Sequence, residues 1–141
     1  MDIQHKFNQQ GLRLTQPRQV IMDVLKASGV PLLPQTIQQR VNEAGHKISL
    51  VTIYRTLELL IELKLIRRIH DQDGCHGYIL CSPGHHHHII CRKCGRALEF
   101  SGADDIVQLL DRIERETGFK IESHLLQLQG VCPDCQKEEQ K

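Results

Sequence analysis

Apolar side chains recur at helical spacing in three segments of the first half of the chain. The first segment, between residues 12 and 25, surrounds Pro17, which suits the first turn of a helix because its missing N–H would be unpaired there. The second is predicted to run from residue 34 to 44. The third begins near Ser49, a favourable N-cap residue, and carries apolar side chains through to Ile61. We therefore expect three short helices in this half.

The pattern then changes to shorter, strand-like segments. Residues 65–70 and 78–80 flank a polar turn and are predicted to form a β-hairpin, so that three helices and a hairpin make a winged helix. Pro83-Gly84 marks a break, and we place the domain boundary between residues 82 and 83. Beyond it we expect strands at residues 88–91, 97–100 and 120–129 and a helix at residues 105–116. The predicted fold class is α+β, with a winged helix-turn-helix domain at residues 1–82 and an α/β domain at residues 83–141.

Length and composition limit the classes of protein that fit. A chain of 141 residues can form one ordinary core or two small ones, and small domains often depend on a metal ion or a partner for stability. No apolar run reaches the roughly 18 residues that cross a bilayer, so we expect no membrane insertion. The polar N-terminus lacks the regions of a signal peptide, which predicts cytoplasmic residence and six mostly reduced cysteines.

The net charge of +1 is the sum of a basic first half and an acidic second half of the chain. Residues 1–68 carry 10 lysines and arginines against 5 acidic residues, whereas residues 69–141 carry 8 against 12. A basic first half suits a phosphate-bearing partner, although a solvated basic surface without a partner gives the same count. Charge alone therefore does not identify the partner.

Four of the six cysteines form two Cys-x-x-Cys pairs, Cys91 with Cys94 and Cys132 with Cys135. Thiolates at this spacing can fold around one ion, and two such pairs complete the tetrahedral sulfur shell of a structural zinc site. Disulfides are disfavoured by the expected compartment, and a thioredoxin-like redox pair needs only one such motif. A closed shell leaves no position for a substrate, so we expect this zinc to stabilise the fold rather than to catalyse a reaction.

Four consecutive histidines occupy residues 85–88. In a strand, successive side chains point to opposite faces, which places His85 and His87 on one face and the other two on the opposite face. Two metal sites can then share one strand, and imidazole together with thiolate favours zinc over magnesium or calcium. A solvated polar stretch is the alternative. Cys75 and His76, at the predicted hairpin tip, fit a supplementary site and exposed side chains without a function equally well.

Three segments together resemble a known family. Residues 12–18 read Leu-Arg-Leu-Thr-Gln-Pro-Arg, residues 49–57 read Ser-Leu-Val-Thr-Ile-Tyr-Arg-Thr-Leu, and the histidine run leads into Cys91 and Cys94. The chain resembles the ferric uptake regulator family over about residues 8–136. The resemblance implies a homodimeric winged-helix repressor, not an enzyme, which is active when metal-loaded, has a C-terminal metal-binding dimerisation domain and binds palindromic operators in double-stranded DNA.

The same resemblance assigns residues 49–63 to the recognition helix that enters the major groove. Its implied DNA contacts are Ser49, Thr52, Tyr54 and Arg55. Arginine can bind guanine through two hydrogen bonds or pair with phosphate, and tyrosine can pack on a thymine methyl group or reach the backbone. Three further basic residues would contact phosphates whatever the base sequence: Arg13, Arg18 and Lys47. The alternative for Tyr54 is a partly buried position between the helices.

A regulatory site at the domain junction is implied at His70, Cys81, His86 and His88, which resembles the zinc-sensing branch of the family. Arg67 stands where some zinc sensors have aspartate, so His70 is assigned from its spacing. The iron-sensing branch has a carboxylate where Ile79 stands, and a site that contains sulfur favours zinc.

A second regulatory site resembles a set of three histidines and a helix carboxylate: His85, His87, His124 and Asp104. The position 17 residues before His124 holds Val107, where the family has glutamate, so Asp104 or the neighbouring Asp105 is expected to replace it.

Together these residues predict a zinc-sensing repressor of metal-uptake genes, with Zn²⁺ as the structural and regulatory ion. An iron- or peroxide-sensing regulator that holds Fe²⁺ or Mn²⁺ is the alternative within the family. A zinc hydrolase built from three histidines and an acid is the alternative from another class, but no motif such as His-Glu-x-x-His positions a general base.

Overall fold

The computed structural model describes residues 2–71, 74–82, 84–101 and 104–140, with only the backbone described at residues 71, 74–76, 104 and 105. The chain divides into two compact units, Met1–Pro83 and Gly84–Lys141. The first unit contains α1 (Ile3–Gln9), α2 (Gln16–Lys26), α3 (Pro34–Glu43), α4 (Leu50–Glu62), β1 (Ile66–Asp71) and β2 (Gly74–Leu80). The second contains β3 (His86–Cys91), β4 (Ala97–Ser101), α5 (Asp104–Thr117), β5 (Gln127–Gly130) and α6 (Pro133–Glu139).

A hydrophobic core joins the helices of the first unit. Its fully buried side chains come from all four helices and include Phe7, Ile21, Ile37 and Leu57. The helix predicted from Ser49 is confirmed: α4 begins at Leu50, and the Ser49 hydroxyl accepts a hydrogen bond of 3.2 Å from the backbone N–H of Thr52. This bond pairs one of the backbone donors left open at a helix start.

The predicted hairpin is formed by antiparallel β1 and β2. It is fixed to the helices by an isolated bridge between Leu32 and Tyr78, with backbone hydrogen bonds of 2.9 and 2.8 Å. Gly77 adopts φ +121°, and a Cβ atom there would lie 2.4 Å from the backbone of Leu32. Only glycine therefore allows the wing to approach the helices this closely. The α+β fold with an N-terminal winged helix-turn-helix is confirmed.

The second unit has a three-stranded sheet in the order β4-β3-β5, in which β3 pairs antiparallel with β4 and parallel with β5. The strand predicted at residues 120–129 is mostly wrong, because β5 begins only at Gln127 and the segment before it has no regular structure. His124 lies in a loop and can turn toward the start of β3.

Two short helices were not predicted from the sequence. Helix α1 is mostly polar and is anchored by Phe7, its buried residue. Helix α6 has Pro133 in its first turn and Cys135 as its buried residue, so neither helix has an apolar stripe that would predict it. Among the described residues, no helix is long and apolar enough to cross a membrane.

Candidate metal centres and DNA-binding surface

The four predicted cysteine ligands lie together in the second unit. Cys91 ends β3, Cys94 follows in a turn, Cys132 immediately precedes α6, and Cys135 lies in its first turn. The four sulfur atoms are all within 4.8 Å of one another. Cys94 Sγ and Cys132 Sγ are 3.8 Å apart, far beyond the roughly 2 Å of a disulfide bond.

These distances fit a tetrahedral metal ion. Zn–S bonds of about 2.3 Å imply sulfur–sulfur edges of about 3.8 Å, which matches the observed separation of Cys94 and Cys132. Of these four cysteines, Cys91 and Cys135 are buried. Buried thiols on two separated segments of chain are typical of a structural site rather than of an exposed catalytic one.

The electrostatics of this four-cysteine centre also fit a bound cation. Backbone N–H groups of Cys94 and Cys132, the latter 3.3 Å from Cys91 Sγ, lower the pKa of the Cys91 thiol to about 6. Hydrogen bonding to Cys132, together with burial, raises the pKa of Cys135 to about 12. One thiolate therefore forms readily, whereas negative charge cannot accumulate on all four sulfurs without a positive ion between them.

A second cluster joins three of the predicted histidine ligands. The ring nitrogens of His85, His87 and His124 all lie within 4.8 Å of one another, and Nε2 of His85 is 2.8 Å from Nε2 of His124. His87 is 2% exposed and packs against Phe100, with ring centroids 5.6 Å apart. The predicted fourth ligand, Asp104, lies at the start of α5, but its side chain is outside the described residues, as is that of Asp105.

The opposite face of β3 carries His86 and His88. Nδ1 of His86 lies 3.7 Å from a carboxylate oxygen of Glu99, and His88 is paired directly with Glu99 across the β3–β4 ladder. Residues directly opposite in an antiparallel pair share a face, so these three side chains lie on one face of the sheet. Among the described residues, their ligand atoms are not all within 4.8 Å of one another, as those of the two clusters above are. Glu99 was not predicted as a functional residue from the sequence. The available signal was strand pairing, since the hairpin around the first cysteine pair places Glu99 opposite the histidine run.

The hairpin register separates two ligands that were predicted to share an ion. Cys81 follows β2 and donates a backbone hydrogen bond to Leu65 at the base of the hairpin, whereas His70 pairs with residue 75 near its tip. The five residues from Leu65 to His70 span about 16 Å along a strand, which exceeds the reach of both side chains to one ion. His70 is therefore left out of the ligand set that is proposed below. The side chains of Cys75 and His76 lie outside the described residues.

Helix α4 presents a polar outer face over a buried inner one. Ile53, Leu57 and Leu60 are fully buried, whereas Arg55 is exposed and Tyr54 is 40% exposed. Tyr54 is therefore not enclosed between the helices. The Ser49 hydroxyl donates a 2.9 Å hydrogen bond to the Thr52 hydroxyl, so these two predicted DNA contacts also order the start of the helix.

The three predicted phosphate contacts differ in their surroundings. Arg13 and Lys47 are exposed. The Arg18 guanidinium instead donates to the carbonyl of Arg13 and lies 5.7 Å from the ring centroid of Phe7. Arg18 is thus engaged in holding α1 against the start of α2, a structural role that the sequence did not predict.

The sequence that forms this fold and these candidate sites matches a known family. The family model described as "Ferric uptake regulator family" matches residues 9–129. The chain belongs to the ferric uptake regulator family. Proteins of this family are metal-dependent transcriptional regulators and not enzymes, so the zinc hydrolase alternative is excluded.

Individual members of the ferric uptake regulator family match nearly the whole chain. The ferric uptake regulation protein of Campylobacter jejuni is 34% identical over 138 residues, which cover 96% of this chain and 87% of that protein. The crystal structure of the Vibrio cholerae ferric uptake regulator has a TM-score of 0.67 and 28% identity, covering 93% of this chain and 100% of that one.

A structure of a zinc uptake regulator complexed with zinc and DNA is also similar. It has a TM-score of 0.78 and covers 95% of this chain and 90% of that one. Its sequence identity is 22%, so the similarity supports the family fold and does not show which metal this chain binds.

Proposed function

We propose that this chain is a cytoplasmic, zinc-sensing repressor that binds palindromic operators of metal-uptake genes as a homodimer. The observation that carries the proposal is the cluster of three imidazoles on one face of β3, with two further imidazoles on its other face and a centre of four thiols at the end of the strand. Imidazole and thiolate donors are those that zinc prefers, whereas Mg²⁺ and Mn²⁺ prefer oxygen donors.

The four-cysteine centre is proposed to hold a structural zinc ion. Cys91 and Cys94 connect to β3, and Cys132 and Cys135 to α6, so that four thiolate bonds would tie the end of the chain to the sheet. Its shell would be complete with protein ligands, which leaves this ion no role in sensing.

The sensing site is proposed at Cys81, His86, His88 and Glu99. A metal ion bound by these ligands would favour the form of the dimer in which the two recognition helices fit major grooves about one helical turn apart. This coupling requires tighter metal binding to the DNA-competent arrangement than to any other.

A second sensing site is proposed at His85, His87 and His124, with a carboxylate from the start of α5 as its fourth ligand, Asp104 in our assignment. It lies wholly within the second unit. We expect its occupancy to order the loop that carries His124, and so to stabilise the second unit.

DNA binding is assigned to the outer face of α4, through Thr52, Tyr54 and Arg55, with Ser49 at its start. Arg13 and Lys47 would add phosphate contacts, whereas Arg18 would contribute mainly by positioning α1.

Dimerisation is assigned to an apolar face of the second unit. Ile89 is paired with both Leu98 and Leu128 across the sheet, and Leu98 and Leu128 are 63% and 41% exposed. Val107 on α5 is 59% exposed. Exposed apolar side chains on the sheet and on α5, in a domain this small, fit burial against a second copy.

An iron- or peroxide-sensing regulator is the second candidate. Glu99 favours it, because a carboxylate beside two imidazoles also suits Fe²⁺ or Mn²⁺. The curated relative from Campylobacter jejuni is named for ferric uptake regulation. The two candidates differ in the role of Cys81, which only the zinc proposal requires.

Metal-dependent operator selection tests the proposal. The full chain would be stripped of weakly held metal and incubated with random DNA duplexes in the presence of Zn²⁺, Fe²⁺ or Mn²⁺. We expect palindromic duplexes to be enriched with zinc alone, and enrichment to be lost in Tyr54→Ala and Arg55→Ala. The substitution Arg40→Ala, on α3, is the matched control. Enrichment with Fe²⁺ and not with Zn²⁺ would establish the iron-sensing alternative.

A further inference from the structure

Ion pairs connect the two halves of the four-cysteine centre. Arg96 Nη2, just after the first cysteine pair, lies 2.9 Å from a carboxylate oxygen of Asp134, which stands between the two cysteines of the second pair. Lys93, between the cysteines of the first pair, forms a close ion pair with Glu139, and Arg92 lies 3.8 Å from the same carboxylate. Each bridge joins the turn at residues 91–96 to α6.

Helix α6 has few other means of attachment. It has seven residues, and Cys135 is its one buried residue among those described. The Gln136 side chain donates to the carbonyl of Val131, five residues earlier, and so stabilises only the local turn. A helix this short is unstable without tertiary contacts, so α6 depends on its thiols and on these ion pairs for its position.

The charge arrangement also suits ionised thiols. A divalent ion with four thiolates carries a net charge of −2, and a nearby cation stabilises that charge. Arg96 lies two residues after Cys94 and is ion-paired to Asp134, which stands between Cys132 and Cys135. Its positive charge is therefore placed beside both cysteine pairs as well as against the helix.

We propose that the pairs Arg96–Asp134 and Lys93–Glu139 are positioning contacts of the four-cysteine centre, which hold the two Cys-x-x-Cys segments together and slow the loss of its metal ion. This inference rests on the zinc site proposed above. Arg96 and Asp134 do not touch the metal. They keep α6 against the turn, so that a sulfur which dissociates from the ion remains close enough to bind it again.

The experiment measures zinc release from the full chain to a colorimetric chelator, at low salt. Exposed ion pairs contribute modestly, so we expect Arg96→Gln and Asp134→Asn each to release zinc about two- to five-fold faster than the wild type. Arg96→Lys should stay near the wild-type rate, because it keeps the charge. The exchange Arg96→Asp with Asp134→Arg should restore slow release. Glu138→Gln, which removes a charge from the same helix, is the matched control and should leave the rate unchanged.

Two further measurements separate this inference from the zinc site itself. At about 1 M salt, screening should bring the rates of wild type, Arg96→Gln and Asp134→Asn together. The Co²⁺-substituted variants should keep the absorption spectrum of four-thiolate coordination. Wild-type rates in both single variants, or fast release in the exchanged pair, would overturn the positioning role. A full chain that purifies without zinc would overturn the zinc site, and this inference with it.

Discussion

The two units of this regulator are stabilised in different ways. The first unit buries a continuous hydrophobic cluster drawn from its helices and wing, with side chains such as Phe7, Ile21 and Leu57 fully enclosed. In the described part of the second unit, the buried side chains are Ile90, two cysteines and two histidines: Ile90, Cys91, Cys135, His87 and His88. So small a core offsets little of the conformational entropy of a folded domain, and the proposed zinc ion and second copy would supply further stability. In this proposal, metal controls the second unit while the DNA-binding fold stays intact.

Removal of the structural zinc should have the largest effect. Cys135→Ser breaks a four-thiolate shell whose zinc binding contributes on the order of 10 kcal/mol to folding in small zinc domains. We expect the second unit to lose its fold while the first remains intact. Amide NMR spectra would show dispersed signals for residues of the first unit and collapsed ones for residues of the second. Cys75→Ser is the control. An unchanged spectrum for Cys135→Ser would contradict the claim that the second unit depends on the zinc site for its stability.

A cavity in the first unit should destabilise it whether or not metal is present. Leu57 is 0% exposed, so Leu57→Ala should lower the free energy of unfolding by about 2–5 kcal/mol. Urea unfolding followed by circular dichroism measures this loss with zinc and with chelator. The exposed Val51 on the same helix provides the control Val51→Ala, which should cost far less. A loss for Leu57→Ala that appears only without zinc would show that the two units are not stabilised independently.

A charge on the proposed dimer face should weaken self-association of the second unit. Burial of a valine side chain contributes about 1.5–3 kcal/mol, so Val107→Glu should raise the dimer dissociation constant by at least ten-fold. Sedimentation velocity over a range of concentrations measures the shift. The neighbouring substitution Gln108→Glu adds the same charge on a different side of α5. Equal effects of the two substitutions would rule out this face.

Loss of the cap of α4 should have the smallest effect. Ser49→Ala removes the hydrogen bond to Thr52 and should lower the stability of the first unit by about 1 kcal/mol. Thr15 occupies the equivalent position of α2 but makes no side-chain capping bond, so Thr15→Ala should cost less. Thermal unfolding of both variants tests this order, and a larger loss for Thr15→Ala would contradict it.

The sequence predicted the elements that carry strong local signals. Helix α4 has both an apolar stripe and a serine cap, and the two cysteine pairs have a spacing that few other sites share. The helices α1 and α6 were missed because each is anchored by one buried side chain, Phe7 or Cys135. A single anchor leaves no periodic pattern in the sequence.

The histidine sites show where local patterns fail. Alternation suggested a strand through His124, but β5 pairs with β3 only from Gln127, and the loop before it brings His124 to His85. Sequence spacing suggested His70 as a partner of Cys81, but the hairpin register places the two at opposite ends of the wing. Glu99 is brought opposite His88 by strand pairing between β3 and β4. Each of these positions depends on tertiary contacts that residue spacing does not encode.

The most direct test of zinc sensing is operator binding by Cys81→Ser across a series of buffered free zinc concentrations. Fluorescence anisotropy of a labelled operator duplex would be recorded together with the zinc content of the protein. We predict that the wild type binds DNA only above a threshold of free zinc. Cys81→Ser should retain the structural zinc but fail to bind DNA at any concentration tested. Identical binding curves for the two proteins would contradict the account.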